Sequence, residues 1–174
     1  FEVSMFWLRL VTAVVVLATT AIIYEIAQAT IGVRRALAAC FIFGFLTSLR
    51  LIEGNLALTE IFMILPISLA MMIAVKRKFD YISLFFGGFL ISVASLYKQV
   101  GVLEAAALGI FLFLITTNFW EFIKKGVALT VGFVIPYAIT FAYFASKGLV
   151  NEYIFGAYTY YRIYLGESPK YAVL

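Results

Sequence analysis

The sequence contains no histidine. That absence removes the commonest general base and the commonest metal ligand, and with them any serine or cysteine triad built on an imidazole. One cysteine, Cys40, lies inside an apolar run, so no disulfide can form within the chain. Aspartate occurs once, at Asp80. Charge is scarce as well: Asp, Glu, Lys and Arg make up 13% of residues, against about 25% in a soluble domain. The basic residues do not cluster on a polar surface, which excludes a nucleic-acid partner. No dedicated metal site or cofactor motif is visible.

What is present is apolar. Hydrophobic residues account for 65% of the chain, more than one soluble core of this size can hide. Lipid is therefore the expected solvent for most of it. Charge-free stretches run over 10–24, 36–49, 61–75, 81–97, 105–120 and 126–146. Roughly 20 helical residues cross a hydrocarbon core of ~30 Å, and flanking charged side chains extend the shorter runs by snorkelling. Helices are expected because an open sheet edge does not survive in lipid. The fold class read from this pattern is all-α: a polytopic transmembrane bundle of about six helices at 6–28, 34–52, 55–75, 80–97, 100–119 and 126–146. These make a transmembrane region over 1–146, followed by an outer aromatic-rich segment over 147–174. The start at Phe1 leads us to expect a piece of a longer chain.

Short loops carry Arg34 and Arg35, then Lys76, Arg77 and Lys78, then Lys124 and Lys125, whereas the alternate loops carry Arg50, Lys98 and Lys147. Seven basic residues against three place the first set in the cytoplasm and the N-terminus outside. Trp7, Trp120, Tyr24, Tyr81 and Tyr97 then fall at helix ends, as an aromatic belt requires. Pro66 and Pro136 fall inside helices and are expected to kink them. Gly87, Gly88 and Ser92 form a small-residue stripe suited to close helix packing.

Ionisable residues in membrane helices cost a few kcal/mol each by insertion scales, so their positions need a reason. Arg9, Arg50, Glu53, Glu60, Lys98 and Glu104 all lie toward the outer helix ends in this orientation. Glu60 is expected ~8 Å below the start of the third helix, and Lys98 and Gln99 form the tight turn between the fourth and fifth. Together they can line a polar cavity for a phosphate or pyrophosphate; a structural Glu60–Lys98 ion pair explains two of them equally simply. The tail holds Tyr153, Tyr158, Tyr160, Tyr161, Tyr164 and Tyr171. An amphipathic helix with Ile154, Tyr158, Tyr161 and Leu165 on one face would anchor it at the interface; stacking on sugar rings is the other use of such aromatics.

Three stretches carry a family resemblance: FWLRLVTAVVVLATTAIIYEIAQATIGVRRALAACFIFGF, GNLALTEIFMILPISLAMMIAVKRKFD and GGFLISVASLYKQVGVLEAAALGIFLFL. An arginine opening an early helix, a Thr-Glu ahead of Phe and Leu-Pro, and a Lys-Gln turn after a Gly-rich helix resemble the polytopic glycosyltransferases of the C-type fold. The nearest group is that of the dolichyl-phosphate-mannose protein mannosyltransferases and aminoarabinose-transferase-like enzymes. The resemblance implies a middle fragment of a transferase that moves sugar from a polyprenyl-phosphate donor to a glycan, lipid or protein acceptor on the extracytoplasmic side. It implies roles for Arg9, Glu60, Lys98 and Gln99 around the donor phosphate; Arg50 and Glu104 are further substrate-binding candidates by their place at the outer helix ends alone. The family's catalytic aspartate sits in the first large outer loop, which is expected upstream of Phe1. Such a protein is multi-pass in a prokaryotic plasma membrane or the endoplasmic reticulum membrane.

Two other classes fit the same residues. A transporter or flippase of a lipid-linked or anionic solute would use the outer charges as a substrate site, but would place polar groups at the bilayer midplane, where every helix here is apolar. A non-catalytic membrane subunit would use its small-residue stripe against partner subunits.

Overall fold

The computed structural model describes residues 5–49 and 58–160. Among these every regular element is helical: α1 Met5–Ile31, α2 Val33–Ser48, α3 Thr59–Lys76, α4 Tyr81–Tyr97, α5 Val102–Ile115, α6 Phe119–Ser146 and the short α7 Val150–Ile154. A 3₁₀ turn, Gln99–Gly101, joins α4 to α5, and a π-helical turn, Phe155–Thr159, follows α7. Three of the described helices, α1, α3 and α6, are long and apolar enough to cross a membrane; α4 and α5 are apolar but shorter. The chain divides into two compact units, 1–136 and 137–174.

In the first unit α1 packs on α2 and α3, and α3 packs on α4. The α1–α2 turn is one residue, Gly32, whose φ of 88° is left-handed backbone that a side chain resists. The α3–α4 turn is tighter in another way. Lys78 and Phe79 both take positive φ, 52° and 57°, a strained choice for residues with a Cβ. Asp80 holds the turn closed: Arg77 donates to its carboxylate at 2.7 and 2.9 Å, and Asp80 accepts from the Ser83 amide at 2.8 Å as the N-cap of α4.

The interior is unlike that of a soluble protein. Thr12, Thr19, Thr47, Ser83, Ser92 and Ser95 are buried, alongside Ala27, Ala36, Ala70, Ala74 and Ala94. Phe41, Leu114 and Leu17 instead stand about 70% exposed. Small and hydroxyl residues inside with large apolar residues outside is the arrangement of helices packed in lipid, where close backbone approach replaces the hydrophobic drive. Larger side chains do meet in one cluster, where Leu84, Ile91, Leu108, Leu112 and Leu129 pack with Ala70. Beside it α4 and α6 touch backbone to backbone. A Cβ on Gly88 would strike the Leu129 carbonyl oxygen, and one on Gly132 the Phe85 carbonyl oxygen.

The small-residue stripe expected on the fourth helix thus divides. Gly88 makes the close contact, whereas a Cβ on Gly87 would meet nothing within 4 Å.

Several helix bounds differ from the sequence reading. The fifth helix ends at Ile115, and α6 begins at Phe119. Asn118 is the reason, because its side-chain oxygen accepts from the Trp120 and Glu121 amides at 2.9 and 3.3 Å. Lys124 and Lys125 consequently stand in the second turn of α6 and not in a loop, with Lys125 paired to Glu121 at 2.8 Å. The third helix begins at Thr59 and not at 55, after an extended Leu58. In the second unit, the tail helix expected through Tyr158 and beyond is α7 followed by the π-helical turn. Ile154 and Tyr158 are both exposed, whereas Tyr161 and Leu165 lie outside the described residues.

Candidate functional site

The α3–α4 hairpin brings the sequence candidates together at its open end. Glu60 occupies the first turn of α3 and Lys98 caps the C-terminus of α4. Each charge opposes the partial charge of its own helix end, anion at the N-terminus and cation at the C-terminus. The Lys98 ammonium donates to the Glu60 carboxylate, and Glu60 also accepts from the Thr59 hydroxyl at 3.0 Å. The first-turn position corrects the expectation of a deeper Glu60: with Leu58 extended, its carboxylate is at the helix mouth. The side chains of Lys98 and Glu60 remain 34% and 45% exposed, so the pair is open to a ligand that competes for the ammonium. Gln99 follows directly in the 3₁₀ turn and is partly buried. Phe62 and Tyr97 stack beside the pair, ring centroids 6.4 Å apart.

The remaining candidates are elsewhere. Glu104 is exposed in the first turn of α5. Arg9 lines a cavity between α1 and α2 whose walls include none of Lys98, Glu60 or Gln99. Arg50 lies outside the described residues, as does Glu53.

At the opposite end of the hairpin Lys76, Arg77 and Asp80 are also paired. Lys76 donates to Glu25 at 2.5 Å, tying α3 to α1. The Arg77 guanidinium and the Ser83 amide hold the Asp80 carboxyl well below the usual carboxylate range, and Asp80 in turn raises Arg77. The one aspartate of the chain is therefore committed to a turn and a helix cap. In the second unit Phe144 and Tyr153 stack at 4.9 Å, with Tyr158 edge-on to Tyr153 at 6.4 Å. Burial, then the neighbouring tyrosines, pushes the Tyr153 phenol up.

Sequence reasoning missed three features. The α1 side of the α1–α2 seam was readable as Arg9, Thr12, Val16 and Thr20, one face of a helix at three- and four-residue steps. Asn118 with Glu121 three residues on has the spacing of a capping box. Gly132 carries no local signal, since only its crossing with α4 gives it a role. No family model, curated protein or solved structure matches the chain.

Proposed function

We propose that the chain is the donor-phosphate-binding membrane segment of a glycosyltransferase that draws sugar from a polyprenyl-phosphate carrier. In this reading α1 to α6 all cross the bilayer with the N-terminus outside, and the Lys98 end of the α3–α4 hairpin faces the extracytoplasmic leaflet. One observation carries the proposal: a lysine at a helix C-terminus is paired with a half-exposed carboxylate, with Gln99 adjacent. An ammonium so placed is charged, oriented and able to exchange Glu60 for an incoming phosphate oxygen.

The chemistry asked of these residues is modest. An acceptor hydroxyl attacks the anomeric carbon as the bond from that carbon to the carrier phosphate breaks, and the phosphate leaves with the electron pair. Lys98 stabilises the charge that develops on the phosphate, Gln99 donates a neutral hydrogen bond, and Glu60 orients the lysine between turnovers. The acceptor proton goes to a general base outside this group. Asp80 is a poor candidate for it because its carboxylate serves Arg77 and the Ser83 amide. The acceptor is a glycan, a lipid or a protein.

The test is sugar transfer by the full-length protein in proteoliposomes supplied with a labelled polyprenyl-phosphate sugar. Lys98→Ala is expected to lower turnover by ~10²-fold or more, the usual loss of one charge-stabilising donor, at unchanged expression and helix content. Lys98→Arg is expected to retain part of the activity. Unchanged turnover in Lys98→Ala would remove the proposal and leave the hairpin pair as a structural clasp in a non-catalytic subunit.

A further inference from the structure

The seam between α1 and α2 is not closed. A cavity of about 560 Å³ runs along it, from Arg9 past Thr12 and Val16 to Thr20, with Thr47 and Ser48 on the α2 side. A second cavity of about 450 Å³ shares Leu17 and Thr20 with the first and continues toward Glu25 and Cys40.

The walls are less polar than their composition implies. Thr12, Thr20, Thr47 and Ser48 each donate the hydroxyl to the carbonyl four residues back in their own helix, at 2.8, 2.7, 2.9 and 2.7 Å. With those donors used, the seam offers an incoming group few hydrogen-bond donors along its length. A seam of this kind favours an apolar chain over a string of water molecules, which need two to four polar partners each.

Its Arg9 end is different. Arg9 is exposed and forms no ion pair with any described residue. A guanidinium on a membrane helix calls for an anion, and its planar fork suits two phosphate oxygens. From Arg9 to Thr20 the helix climbs eleven residues, roughly 16 Å, about half the ~30 Å hydrocarbon core and hence the depth of one leaflet. The seam therefore presents one cation at headgroup level and an apolar channel as deep as one acyl chain.

We infer that the α1–α2 seam is a binding site for an anionic phospholipid, with the phosphate on Arg9 and one acyl chain lying along Thr12, Val16 and Thr20. A phosphodiester headgroup satisfies the arginine, and a flexible acyl chain can follow the groove along Thr12, Val16 and Thr20. The site is separate from the Lys98 pair and does not rest on the glycosyltransferase reading.

The test is native mass spectrometry of the full-length protein released from phosphatidylcholine nanodiscs doped with phosphatidylglycerol. The wild type is expected to retain phosphatidylglycerol about tenfold over phosphatidylcholine, relative to their abundance. Arg9→Gln is expected to bring that ratio to one, and Arg9→Lys to keep most of it. Ala13→Trp, which fills the cavity wall, is expected to reduce retention of both lipids. Excess inorganic phosphate in the buffer should not displace the lipid.

A wild type without preference, or a preference that survives Arg9→Gln, overturns the inference. So does displacement by inorganic phosphate, which would mark a small-anion site, and so does a co-purifying protein on the seam in place of lipid. If Ala13→Trp does not fold, the comparison of Arg9→Gln with Arg9→Lys decides alone, because Arg9 is exposed and neither change adds bulk to the packing.

Discussion

Gly88 of α4 and Gly132 of α6 face one another's helices so closely that neither has room for a methyl group. A Cβ on Gly88 would meet the Leu129 carbonyl oxygen, with the Leu129 carbonyl carbon and the Phe133 nitrogen at 3.0 Å. A Cβ on Gly132 would meet the Phe85 carbonyl oxygen, with its carbonyl carbon at 2.8 Å. Backbone atoms cannot rotate aside as a side-chain tip can, so relief requires moving a whole helix.

Gly88→Ala and Gly132→Ala are accordingly expected to destabilise the protein by about 1–3 kcal/mol or more, the range for overpacking a tight interior. Gly87→Ala is the internal control. It meets no atom within 4 Å and gains up to ~1 kcal/mol of helix propensity. Unfolding of the three variants in mixed detergent micelles, followed by circular dichroism, measures the contrast. Equal losses at Gly87 and Gly88 would show that α4 and α6 do not cross at this point.

The Glu60–Lys98 pair is expected to contribute little to stability. Both side chains are a third or more exposed, and ion pairs of that kind are worth about 0–1 kcal/mol. A double-mutant cycle with Glu60→Gln and Lys98→Gln should give a coupling inside that range. Stability is thereby separated from activity. A coupling well above it would make the pair a structural element and weaken the case for Lys98 as a phosphate ligand.

Acid should loosen the α3–α4 turn through Asp80. Its folded pKa lies well below the unfolded value of about 3.9. The charged form is therefore favoured by folding, and the contribution is complete above the unfolded pKa and lost as pH falls through the folded one. Asp80→Asn keeps an oxygen for the Ser83 amide and loses the charge facing Arg77, so its unfolding midpoint should vary less below pH ~4 than that of the wild type. Identical acid profiles for the two proteins would contradict this.

How much was legible in the sequence differs from one residue to the next. The charge-free runs marked helices, because in lipid the apolar stretch and the helix are nearly the same object. Glu60 and Lys98 were legible as neighbours once two antiparallel helices shared a short turn. Helix starts were less so. Asn118 captures two amides and moves the beginning of α6 ahead of its lysines, and a scan that treats lysines as loop markers cannot see this. The depth of Glu60 was misjudged for a related reason, since an apolar run does not say where the backbone first turns helical. Gly132 was out of reach, because its role belongs to the crossing of α4 with α6, and the opening beside Arg9 depends on how α1 packs on α2, although the face from Arg9 to Thr20 was readable.

The α3–α4 hairpin has a bearing on how the protein is made. Its two helices are joined by four residues and pinned at both ends, by Arg77 with Asp80 and by Lys98 with Glu60. The two helices are consecutive in the chain and joined by a short turn, an arrangement that favours early pairing in folding. An isolated charge entering the hydrocarbon costs about 2.5–3.5 kcal/mol on insertion scales, and a partner of opposite sign delivered by the same hairpin offsets part of it. A nascent chain can thus hand the membrane a finished unit whose two carboxylates are both paired within it, onto which the helices made before and after it assemble.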